Sequence, residues 1–297
     1  MTDAAIRYID KNKENQFFMF LSFLEPHHQN HTDNYPAPNI YRDKFVGSWT
    51  PPDLESLDGT APQHLPGYYG MVKRLDDALG RIMDTLESLH LDKNTIVLFT
   101  SDHGNHFKTR NGEYKRSPHD SSIRVPTAFY GSIFHGGGTI DKLVSLVDLP
   151  PTLLDACGIA VPKEMEGNSI VPLVQRKEKE WPEDIFVQIS ESQIGRAIRT
   201  DRWKYAVYAK DKDGTEAPSS DTYEELYLYD LHADPYELTN LVGINAYRSI
   251  ADQLKDRMLK YIENIEGEYP VIHNAPPRES GQRRATKQEI FEDHWKE

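Results

Sequence analysis

The chain has 297 residues, 38% hydrophobic and 27% charged, which is enough apolar content for a packed core and too much for global disorder. Its 34 Lys and Arg against 47 Asp and Glu leave a formal charge of −13 and a pI near 5.4, a field that repels phosphate backbones and disfavours nucleic-acid binding. No apolar run approaches the roughly 20 residues needed to cross a bilayer, Met1 to Asp10 shows no signal peptide, and the one cysteine, Cys157, excludes an internal disulfide framework or a Cys-rich metal site.

Along the chain, Ala4, Ala5, Ile6 and Ile9 among charges suit a short surface helix. Phe17 to Leu24 is almost continuously apolar, which predicts a strand buried on both faces, stopped by Pro26. Residues 29–66 are rich in Pro, Asn and Asp and read as a long irregular segment. Val72, Leu75, Leu79, Ile82, Leu86 and Leu89 alternate steps of three and four, the apolar stripe of a helix. Thr95 to Thr100 predicts a second buried strand and Pro126 to Tyr130 a third. Val144 to Ala156 has helical spacing with Gly158 placed to end it, and Cys157 reads as a small core residue. Strand, helix, strand is the βαβ grammar of a parallel sheet.

After the charged stretch Gln175 to Glu180 come short strand-like pieces: Ile185 to Ile189, Ala197 to Thr200, Trp203 to Tyr208 and Leu226 to Tyr229. Ile250 to Ile265 closes this half as an amphipathic helix, predicting a small antiparallel sheet with one helix. From Glu268 the tail is polar, with basic Arg278, Arg283, Arg284 and Lys287. Trp203, Tyr205 and the Tyr68–Tyr69 pair read as packing residues.

Two clusters could carry chemistry. The strands 17–24 and 95–100 end in Glu25, His27 and His28 and in Asp102 and His103, and ligands gather at carboxyl ends of strands in open α/β sheets. Asp and His supply hard oxygen and neutral nitrogen, so Asp102 and His103 could hold Ca²⁺, Mg²⁺, Mn²⁺ or Zn²⁺, with Gly104 allowing a tight turn. In Lys115-Arg116-Ser117-Pro118-His119-Asp120 a lysine and a histidine suit an anion with a departing oxygen. Taken singly, a capped turn and a solvated charged loop explain each cluster as well.

In order and spacing, these segments resemble the sulfatase family of the alkaline-phosphatase-like superfamily. The resemblance rests on Phe17 to His27, the helix with Leu75-Asp76-Asp77, Asn94 to Gly104, Lys115 to Pro126 with Ile123-Arg124-Val125-Pro126, and Leu146 to Leu154. Arg199 to Tyr205, Leu228 to Leu231, Asp234-Pro235 and Asn240-Leu241 extend it to about residue 265. It implies an α/β fold whose mixed or parallel sheet is flanked by helices over residues 1–174, a small α+β subdomain with an antiparallel sheet and C-terminal helix over 181–266, and an extended tail over 267–297. It further implies Asp102 and His103 as ligands of a divalent cation, usually calcium, with Mg²⁺ or Mn²⁺ as alternatives. By the same resemblance Lys115 grips the sulfate group, His27 protonates the leaving oxygen, and His28 and His119 are candidates for substrate contact.

Family members also carry a paired-aspartate strand and Cys-x-Pro-x-Arg, or a serine version, whose first residue becomes the formylglycine nucleophile. Neither is present: Cys157 lacks Pro and Arg at the required offsets, and Ser192-Gln193-Ile194-Gly195-Arg196 lacks Pro or Ala at its third place. The expectation is therefore a sulfatase fragment or truncated sulfatase, with half a metal site and no nucleophile, its sheet edges open to a complementary N-terminal segment or a second copy. Three functions compete: hydrolysis of a sulfate ester, of a sulfated small molecule or glycan; the phosphodiesterase or phosphonate chemistry of the same superfamily; and binding of anions or glycans without turnover.

Overall fold

The computed structural model describes residues 1–28, 32–177, 180–191 and 193–280. The sequence readings at Glu178 and Lys179 of the charged stretch, at Ser192, at residues 29–31 of the long loop, and at Arg283, Arg284 and Lys287 lie outside the described residues. The architecture is mixed α/β, in two compact units, Met1–Ile185 and Phe186–Glu297.

In the first unit α1 (Thr2–Asn12) buries Ala5 and Ile9, four residues apart on one face, with Asp3 in its first turn and Lys11 in its last, favourable to the helix dipole. The segment read as irregular is locally helical: α2 (Asn39–Arg42) and α3 (Pro52–Ser56) precede the long α4 (Ala61–Ser88), which begins eleven residues before the predicted apolar stripe does. The early turns of α4 bury Ala61, Leu65 and Met71 with Tyr35, Leu54 and Phe107, while its later turns bury Ile82 and Leu86 with Ala5 and Ile9 of α1.

Phe17 to Leu24 corrects the sequence reading. It is extended but joins no ladder among the described residues, and its side chains alternate. Phe17, Met19 and Leu21 pack on the α1–α4 core, while Phe18, Phe20 and Leu24 are 76%, 82% and 73% exposed. The run holds its place through side chains rather than backbone pairing. Of the expected mixed or parallel sheet, the ladder among the described residues of this unit is one antiparallel pair: β1 (Val97–Phe99) with β2 (Ala128–Tyr130), Leu98 opposite Phe129. α5 (Asp120–Ile123) lies between the two strands, and α6 (Leu149–Ala156) and α7 (Val171–Val174) follow them. Gly158, at φ 71°, ends the α6 turn as expected, but Cys157 is exposed rather than in the core, because the chain leaves the helix there.

The second unit is a five-stranded mixed sheet in sequential order: β3 (Asp184–Ile189), β4 (Ile194–Thr200), β5 (Trp203–Ala209), β6 (Thr222–Asp230) and β7 (Val271–His273). β4–β5 and β5–β6 are antiparallel, Ile198 opposite Tyr205 and Tyr205 opposite Leu228. β7 adds in parallel to β6, so part of the segment read as an extended tail is a strand. Between β6 and β7, α8 (Arg248–Glu266) lays Ala251, Leu254, Met258 and Ile262 on Ile194, Ile198, Tyr205, Val207 and Leu228. Two ion pairs are buried within this unit. Arg196 Nε and Nη2 donate to Glu266 at 2.6 and 2.9 Å, and Lys204 Nζ donates to Glu237 Oε1 at 2.6 Å with both side chains at 2% exposure or less.

Candidate functional site

Three turns of the first unit build the site. After the extended run, His27 N–H donates to Leu24 O at 2.9 Å and turns the chain. After β1, Ser101 Oγ donates to the His103 carbonyl (2.9 Å) and His103 N–H to Asp102 Oδ1 (2.9 Å), a self-bonded turn that fixes the Asp-His pair. Gly104 N–H then donates to Ser122 O at 2.7 Å. Gly104 is required by close approach: a Cβ there would strike the Ser121 carbonyl. We expect Gly104→Ala to lower stability by about 2 kcal/mol and shift the melting temperature down; an unchanged melting temperature would rule out that constraint.

The third turn carries Tyr114 and Lys115. His106 N–H donates to Tyr114 O (2.9 Å), and His106 Nε2 and Asn111 Nδ2 both donate to Lys115 O, at 3.0 and 3.1 Å. Side chains from the three turns then meet. Tyr114 Oη lies 2.9 Å from His27 Nε2, Lys115 Nζ lies 3.0 Å from His103 Nε2, and that nitrogen is 3.3 Å from Asp102 Oδ2. His103 Nδ1 is 2.9 Å from the Gly104 carbonyl. A carbonyl only accepts, so Nδ1 carries the proton and Nε2 offers its lone pair to the Lys115 ammonium.

His27 thus meets Tyr114, and Lys115 meets His103 beside Asp102, two pairs held side by side because Tyr114 and Lys115 are neighbours in the chain. His28 is next to them: its ring meets Tyr114 edge-on at 4.0 Å and stacks on Tyr35, and its Nε2 is 2.8 Å from Asp33 Oδ1. His119 is 1% exposed, with Nδ1 3.1 Å from Ser117 Oγ, which in turn lies 3.1 Å from Ser122 Oγ. Sequence reasoning missed Tyr114 and His106. Tyr114 has only its place beside Lys115 to mark it, and His106 shows no ligand spacing.

Burial, and then the positive charge of Lys115, holds the His27 imidazole below its ordinary value, favouring the neutral ring. Burial raises the Tyr114 phenol, so it stays protonated. Fully buried His106 is pushed down to about 4, partly opposed by its bond to the Lys115 carbonyl. Because the folded value lies below the ordinary 6.5, the unfolded chain binds more protons between them. The stability associated with neutral His106 is full above about pH 6.5, is lost as pH falls to about 4, and changes no further below. The loss is on the order of 2–3 kcal/mol, and His106→Gln is expected to flatten that limb of an unfolding-versus-pH curve. An equally steep limb in the variant would assign it to other groups.

A divalent cation fits this site only in part. Asp102 offers a carboxylate and His103 an oriented lone pair, but the Lys115 ammonium already faces that lone pair. Among the described residues no group of three or more His, Cys, Asp or Glu could hold a metal ion, whereas calcium takes six to eight oxygen ligands. The described geometry puts a lysine ammonium, an imidazole and a tyrosine hydroxyl side by side.

Comparison with known proteins gives the family. The family profile described as Sulfatase matches residues 1–159, and one described as N-sulphoglucosamine sulphohydrolase, C-terminal, matches residues 112–264. The chain belongs to the sulfatase family. It is 30% identical to an arylsulfatase of Clostridium perfringens, over 85% of this chain and 55% of that protein. It is 26% identical to an ulvan-active sulfatase of Formosa agariphila, over 91% of this chain and 52% of that protein. The chain thus spans about half the length of these curated relatives. Its fold resembles the crystal structure of a phosphonate monoester hydrolase of Agrobacterium radiobacter, with a TM-score of 0.70 at 22% identity over 89% of this chain and 60% of that one. No helix among the described residues is long and apolar enough to cross a membrane.

Proposed function

We propose that this chain provides the sulfate-gripping and leaving-group side of a sulfate ester hydrolase, with a sulfated carbohydrate as substrate class. The observation that carries the reading is the convergence of two pairs, Lys115 with His103 beside Asp102 and Tyr114 with His27, on neighbouring positions of one turn. Lys115 supplies fixed positive charge to the sulfate oxygens, and charge placed in advance of the reaction needs no reorganisation as the ester bond breaks. His27, held by the Tyr114 hydroxyl, protonates the departing alcohol oxygen from its imidazolium form and returns to the neutral ring, so this step is favoured as pH falls. His28, packed against Tyr114, lines the approach. The carbohydrate substrate class is supported by the ulvan-active relative, and the aryl ester by the arylsulfatase.

Sulfatases typically use a divalent cation together with formylglycine, and Asp102 and His103 would hold the cation, Ca²⁺, here. These 297 residues contain no Cys-x-Pro-x-Arg or serine counterpart, and the metal donors at the site are two among the described residues. The same two observations favour a second reading, binding of a sulfated ligand without turnover. Titration with inorganic sulfate, inorganic phosphate and an aryl sulfate, with released sulfate measured alongside, tests both. Sulfate preference with release supports the hydrolase; binding without release leaves the second reading. Preference for phosphate overturns the sulfate assignment and moves the site toward phosphonate or phosphodiester chemistry.

A further inference from the structure

The geometry points to His106 as a positioning residue that holds Tyr114 and Lys115 against His27 and His103. This deepens the reading just given and rests on Lys115 and His27 being its working groups. His106 is 0% exposed and makes two bonds to consecutive carbonyls of one loop: its backbone N–H to Tyr114 O at 2.9 Å and its Nε2 to Lys115 O at 3.0 Å. The carbonyl requires the proton on Nε2, and Nδ1 has no hydrogen-bond partner among the described residues. A buried imidazole nitrogen without a partner is a cost that a plain packing residue such as leucine would avoid. The ring is therefore held for its Nε2 donor. That donor lands on Lys115, next to Tyr114, and these two side chains reach other turns, Tyr114 to His27 across 87 positions and Lys115 to His103 across 12. Asn111 Nδ2 bonds the same Lys115 carbonyl at 3.1 Å and that of Arg116 at 3.3 Å, but it lies within the loop it braces. His106 lies nearer the Asp-His turn, so it ties the loop to the turn that carries His103.

The test compares the full chain with His106→Leu and His106→Gln. Leucine keeps an apolar filling, and glutamine places an amide N–H close to the Nε2 reach. The first readout is the ¹⁵N shift of His27 Nε2 and His103 Nε2, which report the Tyr114 hydroxyl and the Lys115 ammonium directly. The second is affinity for inorganic sulfate, with Lys115→Ala as control. Leucine is expected to move both ring signals toward values for an unbonded lone pair and to weaken sulfate binding about tenfold, the size of one lost hydrogen bond. Glutamine is expected to restore both to within about twofold of the parent. Unmoved ring signals in the leucine variant overturn the inference, as does a glutamine variant that behaves like leucine. Should the parent and Lys115→Ala bind sulfate equally, the sulfate reading fails by itself, and the ring signals still decide the role of His106.

Discussion

Glu237→Ala is expected to destabilise the second unit by about 4 kcal/mol, because removing one partner of a buried ion pair leaves the other charge under-compensated. Lys204 is 0% and Glu237 2% exposed, with 2.6 Å between ammonium and carboxylate, so water cannot take over the lost contact without opening the core. Lys204 lies on β5 and Glu237 beyond β6, so the pair joins a strand to the connection that precedes α8. The replacement of both by apolar residues, Lys204→Met with Glu237→Leu, is expected to recover most of the loss, since no charge is then buried. Urea unfolding followed by circular dichroism checks both variants. A single variant within about 1 kcal/mol of the parent, or a double variant as weak as the single, would show that the pair does not carry this energy.

Lys115→Ala is expected to lower turnover of an aryl sulfate about 10²- to 10³-fold, the usual effect of deleting one fixed donor to a developing oxyanion. If the chain binds without turnover, the same substitution is expected to cost at least about tenfold in affinity for inorganic sulfate, a charge-assisted contact being stronger than a neutral one. Lys115→Arg keeps the charge but not the compact ammonium that meets His103 Nε2 at 3.0 Å, so it is expected to fall between. Alanine behaving as the parent in both assays would remove Lys115 from the site and with it the central support of the proposed function.

Both predictions rest on features that differ in how openly the sequence announces them. The helix over 248–266 and the strands flanking Trp203 and Tyr205 were legible because one face meets one core, so spacing alone reports it. Phe17 to Leu24 was not, because an unbroken apolar run states that side chains are apolar and says nothing of which face finds a neighbour. The order of β1 and β2 was equally hidden: antiparallel pairing of two three-residue strands depends on the path between them, not on their composition.

The site divides in the same way. Asp102, His103, Lys115 and His27 were named from resemblance, and the turns bring all four together. Tyr114 and His106 act through contacts that sequence spacing does not encode, a ring 87 positions away in one case and main-chain carbonyls in the other. Cys157 went the opposite way: the end of α6 leaves it in solvent.

The alternating run at 17–24 sets two colloidal forces against each other. Phe18, Phe20 and Leu24 present a sticky row beside backbone that joins no ladder among the described residues, and such rows draw copies together. The formal charge of −13 holds copies apart, but only over the Debye length, which shrinks from about 30 Å at 0.01 M salt to about 8 Å at 0.15 M. Ionic strength is therefore the handle on its solution behaviour: dilute buffer favours dispersed molecules, and added salt unmasks the attraction of the aromatic row.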